Sequence, residues 1–218
     1  MSRKKGIIFD MDGVLYDTER LYQESWARTA LDLAGREEKT FPMAMCGSSG
    51  VTGRRIIHEY FPEVDVEEFM EHCYALYRDR IARDLPEKPG VREILEYLKE
   101  TGTKIAIASG SPASVIRSNL TRSGILAYFD AIVGGDEVAD GKPAPDIFLK
   151  AAKKIGLAPG DCYVFEDGRN GLLGAKAAGC SPVMIVDLTK PDQELKEICT
   201  AIFDNLTSAQ AAIESGIL

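Results

Sequence analysis

The stretch Gly6-Ile7-Ile8-Phe9-Asp10-Met11-Asp12-Gly13-Val14-Leu15 decides how the rest of the chain is read. Ile7, Ile8 and Phe9 form a short apolar run, the pattern of a strand buried on both faces of a parallel sheet. Two carboxylates, Asp10 and Asp12, follow at the end of the run, where open α/β sheets bind ligands. Residues two apart on extended backbone point the same way, so both acids can face one site. Gly13 permits a tight turn close to a bound group. Crowded carboxylates repel each other, and a divalent cation or a proton offsets that repulsion.

Outward from this stretch, the chain of 218 residues is long enough for one sizeable core plus a smaller insertion. Its net charge of −8 disfavours nucleic acid and anionic membrane as partners, since both call for basic patches. Five cysteines with no C-x-x-C spacing suggest neither a zinc site nor a disulfide framework, and a reduced, cytoplasmic setting is expected. Cys46, in a Gly/Ser stretch, is the one expected to be exposed. No stretch approaches the length of a membrane span, and the apolar run after the basic N-terminus is too short for a signal peptide.

After the opening strand the pattern turns helical. Helices are expected over 18–33, with Asp17 or Thr18 as cap, over 53–61, and over 66–83. Cys46-Gly47-Ser48-Ser49-Gly50-Val51-Thr52-Gly53 reads as an irregular loop. Pro86-Glu87-Lys88-Pro89-Gly90 reads as a hinge. Beyond it, helices over 91–100, 112–124, 145–155, 172–178 and 207–215 alternate with strands over 104–108, 129–133, 163–165, 183–186 and 201–203. Ser111-Pro112 marks a helix start, with Ser111 as cap. Such alternation gives an α/β fold, a parallel sheet covered on both faces. The expected division is a core of residues 1–16 and 86–218, with residues 17–85 inserted after the first strand as a helical cap.

Four strand ends converge on one chemistry. The first gives Asp10 and Asp12, the second Ser109, the third opens a loop holding Lys142, and the fourth gives Glu166 and Asp167. Singly, Ser109 reads as a turn residue, Lys142 as a solvated lysine and Glu166-Asp167 as an acidic turn. Together they form a metal-assisted phosphoryl-transfer site. Asp10 and Asp167 suit a magnesium ion, with Glu166 as a further ligand or an acceptor behind it. Asp10 can attack phosphorus and Asp12 can act as acid and base. Ser109 can donate to a phosphate oxygen, and Lys142 can hold the phosphate and keep Asp10 ionised.

Phe9-Asp10-Met11-Asp12-Gly13-Val14-Leu15, Ser109-Gly110-Ser111, Lys142-Pro143-Ala144-Pro145-Asp146 and Phe165-Glu166-Asp167 resemble the four motifs of the haloacid dehalogenase-like hydrolase superfamily. The last motif and the run 142–148 most resemble its β-phosphoglucomutase-like branch. The resemblance implies a three-layer, Rossmann-like parallel-sheet core with a small helical cap. It implies Asp10 as nucleophile and Asp12 as acid/base. Magnesium is implied on Asp10, on the main-chain carbonyl of Asp12, and on Glu166 and Asp167. Candidate phosphate-binding positions are Met11, Ser109, Gly110 and Lys142.

Asp12 argues against a dehalogenase, which lacks the second acid. Tyr22 stands where β-phosphoglucomutases carry a histidine, and Cys46 and Gly50 stand where those enzymes carry a cap-loop Lys and Arg. Tyr22, Gly47, Arg54 and Arg55 remain as cap candidates for substrate contact, the arginines reading equally as a solvated helix face. The expected function is a magnesium-dependent phosphatase of a small phosphorylated metabolite, a sugar phosphate, working through an aspartyl-phosphate as a monomer or weak oligomer. The alternatives are a β-phosphoglucomutase-type isomerase and a non-catalytic phospholigand-binding protein.

Overall fold

The computed structural model describes residues 4–45 and 50–218. Two compact units divide the chain: Met1–Tyr16 with Glu87–Leu218, and Asp17–Pro86.

The larger unit is built on six strands, β1 (Gly6–Phe9), β2 (Lys104–Ser109), β3 (Ala131–Gly134), β4 (Cys162–Glu166), β5 (Ser181–Ile185) and β6 (Ala201–Phe203). They form one sheet in the order β3-β2-β1-β4-β5-β6, with every pairing parallel. The chain runs outward from β1 in one direction through β2 and β3, and in the other through β4, β5 and β6. The point where the order reverses therefore lies between β1 and β4, and the crevice at the carboxyl ends there is where such sheets bind ligands.

Parallel strands must be covered on both faces, which is why they read as unbroken apolar runs. One face carries Ile8, Ala106, Ala108, Val133, Cys162 and Val164. It packs with Ile147, Phe148, Ala151 and Ala152 of α7 (Asp146–Lys154) and Ala175 of α8 (Arg169–Ala177). The alternate residues Ile7, Phe9, Ile105, Ile107 and Phe165 are buried on the opposite pleat. The remaining helices of this unit are α5 (Val91–Glu100), α6 (Ala113–Arg122), α9 (Gln193–Ile198) and α10 (Leu206–Glu214). Helix α5 buries Val91, Ile94, Leu95 and Leu98, the spacing of one helical face.

The smaller unit holds α1 (Thr18–Ala34), α2 (Phe41–Met45), α3 (Gly50–Tyr60) and α4 (Val66–Arg83). Its core gathers Trp26, Ala30, Phe41, Met45, Ile57, Phe61, Phe69 and Cys73. Phe41 meets Phe61 and Phe69 edge-on at 4.9 and 5.5 Å. Asp65 caps α4 by accepting from the Glu68 amide at 2.9 Å.

Several elements differ from the sequence reading. Helix α3 begins at Gly50, inside the stretch expected to be irregular. Gly53, Ile57 and Phe61 are buried at successive four-residue steps, and that packing overrides the poor helix propensity of glycine. Cys46 and Gly47 lie outside the described residues. Asp17 does not cap α1 with its side chain but accepts from Arg20 Nε at 2.9 Å. Ser111 does not cap α6: the free amide of Ala113 is met by Asp136 Oδ1 at 2.9 Å, from the turn after β3. Helices α2 and α9 are not among the expected helices, both being short, and α9 offering only Leu195 and Ile198 as apolar residues. No helix among the described residues is long and apolar enough to cross a membrane.

Candidate active site

The register of β1 on β4 pairs Phe9 with Phe165, so Asp10 emerges beside Glu166 at the point of strand-order reversal. The Asp10 amide donates to Phe165 O at 2.9 Å, carrying the pairing one residue past the strand. Ligand oxygens of Asp10, Glu166 and Asp167 all lie within 4.8 Å of one another. Among the described residues this is the one trio of potential metal ligands so close together. Asp10 and Glu166 are buried and Asp167 is half-buried. An all-oxygen, carboxylate donor set suits a hard divalent cation, so the residues fit a metal of that kind.

Two glycines make the cluster sterically feasible. Gly13 has φ +80°, and a Cβ there would lie 2.6 Å from Asp167 Cγ. Gly171, in the first turns of α8, faces Glu166: a Cβ would stand 2.6 Å from its Cγ and closer still to its carboxyl atoms. Gly168 N donates to Glu166 Oε2 at 2.6 Å, locking the carboxylate over the start of the helix. Arg169, next in line, turns away to pair with Asp192 and Glu194.

Lys142 reaches into the cluster from the loop after β3, following which the Lys142–Pro143 peptide is cis. Its ammonium donates to Asp10 Oδ1 and, at 2.8 Å, to Glu166 Oε1. Burial raises the Asp10 carboxyl, the charges of Glu166 and Asp12 add to the rise, and with Lys142 pulling the other way it stands at about 8. Burial works against the Lys142 charge, yet Asp10 and Glu166 outweigh it and hold its pKa above the ordinary lysine range. With the side chain only 13% exposed, this lysine is committed to the two carboxylates and is not a solvated loop residue.

Asp12 sits across from the end of β2. Ser109 Oγ and Ser111 Oγ both approach Asp12 Oδ2, at 3.4 and 3.5 Å. Ser109 Oγ also accepts from the Ser111 amide at 3.1 Å. The side chain of Asp12 is not part of the carboxylate trio. Gly110 is exposed, whereas the Met11 side chain is buried and its carbonyl accepts from the Leu15 and Tyr16 amides. The Ser109–Ser111 turn is held from β3: Gly135 N donates to Ser111 O at 3.0 Å, and a Cβ at Gly135 would press on the Gly110 carbonyl group. Asp136 and the adjacent Gly134 and Gly135 were not singled out in the sequence. The Gly-Gly-Asp cluster at a strand end was the available signal.

Within the helical unit, Tyr22 stacks on Tyr77, ring centroids 3.5 Å apart, and on Trp26 at 5.5 Å. Arg54 forms a two-armed pair with Glu67 at 2.6 and 3.1 Å. Arg55 lies 3.8 Å from Glu59. Gly47 is outside the described residues.

Comparison with known proteins places these features in a family context. Residues 4–179 match the model of the haloacid dehalogenase-like hydrolases. A phosphorylated carbohydrates phosphatase of Thermotoga maritima is 35% identical over 176 residues, spanning 80% of this chain and 82% of that protein. The fructose-1-phosphate phosphatase YqaB of Escherichia coli is 32% identical over 184 residues, spanning 83% and 96%. Among solved structures, a candidate β-phosphoglucomutase of Thermotoga maritima superposes with a TM-score of 0.80 at 30% identity, covering 98% of each chain.

Proposed function

The chain belongs to the haloacid dehalogenase-like hydrolase family, and from that premise we propose that it is a phosphatase of small phosphorylated carbohydrates, using magnesium and an aspartyl-phosphate on Asp10. The observation that carries this reading is the meeting of Asp10, Glu166 and Lys142 at one strand end, with Asp12 facing Ser109 at the next. The six-stranded unit carries the chemistry in this proposal and the helical unit serves as its cap.

Asp10, Glu166 and Asp167 would hold the metal, with the Asp12 carbonyl as a further oxygen. The chemistry that magnesium supplies there is neutralisation of phosphate charge, which otherwise repels a carboxylate nucleophile. Lys142 lowers the cost of ionising Asp10 in a buried place and binds a phosphate oxygen. An Asp10 oxygen bonds to phosphorus as the ester P–O bond breaks, and Asp12 gives its proton to the departing alkoxide. Asp12 then takes a proton from water, whose oxygen attacks phosphorus, breaking the Asp10–phosphorus bond and releasing inorganic phosphate. Ser109, and the backbone at Met11 and Gly110, line the phosphate position.

A mutase must hold a second phosphate, and the helical unit's two candidate cations are engaged by Glu67 and Glu59. That favours hydrolysis over isomerisation. Cys73, Cys162, Cys180 and Cys199 are free thiols, and a reducing, cytoplasmic setting is part of the proposal. The test is phosphate release from a panel of sugar phosphates with magnesium, run beside a coupled assay for glucose 6-phosphate formed from β-glucose 1-phosphate. Release without isomerisation is expected. Isomerisation with little release would overturn the phosphatase reading.

A further inference from the structure

Asp12 stands in a small closed loop. Leu15 N and Tyr16 N both donate to Met11 O, at 3.0 and 3.1 Å, and Gly13 N donates to Tyr16 O at 2.8 Å. The position of the Asp12 carboxylate therefore depends on where Met11 and Tyr16, the two ends of that loop, are fixed. Both ends are tied to one helix. The side chains of Tyr16 and Met11 are completely or almost completely buried, and each meets a polar group near the end of α6. Tyr16 Oη is hydrogen-bonded to Ser123 Oγ, and Asn119 Nδ2 approaches Met11 Sδ at 3.9 Å.

The proton order follows from the partners. Ser123 has one hydroxyl proton, and it goes to Asn119 O at 2.8 Å. Tyr16 is therefore the donor to Ser123. Asn119, Ser123 and Tyr16 form a chain that costs the buried phenol nothing in lost hydrogen bonding. Arg92 secures the far side, donating to Ser123 O at 2.6 Å and to Glu87 Oε1 at 2.7 Å, while Tyr16 pairs with Glu87 through a β-bridge. The same helix α6 starts directly behind Ser109 and Ser111, whose hydroxyls face Asp12. One rigid element thus registers the acid and the phosphate turn against each other.

We propose that Tyr16 and Ser123 are positioning residues for Asp12, fixing its carboxylate where it can protonate the leaving oxygen. This rests on Asp12 being the acid/base of the proposed phosphatase. A general acid contributes roughly 10²–10⁴-fold, and small displacements forfeit much of that. An alkyl leaving group needs the proton, whereas a nitrophenolate leaves without one. The experiment compares Tyr16→Phe and Ser123→Ala with the parent enzyme on fructose 1-phosphate and on p-nitrophenyl phosphate, with magnesium. The expected result is a fall in kcat/KM, which reads departure of the leaving group and not the later hydrolysis that both substrates share, of about tenfold on the sugar phosphate, as part of the general-acid contribution, and less than about twofold on the aryl ester. Equal losses on both substrates, or none on either, would overturn the proposal. Asp12→Ala is measured alongside. If it spares the aryl ester and the two positioning variants do not, the positioning role fails alone. If Asp12→Ala shows no such preference, the acid assignment itself fails. Ser123, on a half-buried helix end, supplies the readout should Tyr16→Phe fold poorly.

Discussion

Replacing Gly171 by alanine adds one methyl group against the Glu166 carboxylate. Helix propensity alone favours the change by about 1 kcal/mol, since Gly171 lies inside α8 and has an ordinary helical conformation. The new Cβ, however, would stand 2.6 Å from Glu166 Cγ and closer to its carboxyl atoms. Glu166 must move, and it is 3% exposed and bonded to Lys142 at 2.8 Å and Gly168 N at 2.6 Å. Hydrogen bonds to charged groups are worth about 1.5–3 kcal/mol each, so losing both costs about 3–6 kcal/mol. Net destabilisation of about 2–5 kcal/mol is expected, together with weaker magnesium binding by calorimetry. In a Glu166→Ala background the obstacle is gone, and Gly171→Ala should stabilise by up to about 1 kcal/mol. The single tryptophan, Trp26, belongs to the helical unit, so its fluorescence is the wrong probe. Hydrogen exchange of the β4 amides of Val164 and Phe165 reads the relevant unit. Equal destabilisation in both backgrounds, or none in the parent, would refute the steric argument.

Asp10→Asn should abolish turnover while circular dichroism stays native, because an amide cannot replace the carboxylate nucleophile; residual hydrolysis would move the nucleophile elsewhere. Magnesium binding should compete with a proton on Asp10. Its raised pKa, about 8, means the folded metal-free site carries a proton below that pH, which the metal must displace. Apparent affinity should therefore fall by up to about tenfold per pH unit below 8 and level off above it, measured by calorimetry in buffers of different ionisation heat; a flat profile from pH 6 to 9 would contradict it. Asp65→Ala removes the cap of α4 and should lower the stability of the helical unit by about 1 kcal/mol, here followed by Trp26 fluorescence.

The opening stretch was legible because its two signals agree: an apolar run demands burial, and acids directly after it demand an edge. Helices α1 and α4 begin where the sequence places them and end within a residue of it, as their apolar periodicity is long. Helix α8 starts three residues before the reading, at Arg169, because its first turn is polar and glycine-rich and carries no apolar stripe. Lys142 illustrates what spacing cannot supply. Its identity in the loop was readable, but its double contact with Asp10 and Glu166 depends on strand order. Asp136 was invisible for a related reason: it serves an amide on another strand's loop, 23 residues away. Gly171 reads as a loop residue just ahead of the expected helix, and the Glu166 side chain it makes room for comes into view only with the fold.

The ammonium of Lys142 between Asp10 and Glu166 gives the site an internal counter-ion. Many small metallo-domains unfold on chelation because metal binding supplies much of their folding free energy. Here one cation encoded in the chain already screens two of the three ligands. Stripping the ion should therefore silence the protein without dismantling it. Its activity would follow the ambient supply of divalent metal as a reversible dial, independent of synthesis, chaperones or turnover of the chain.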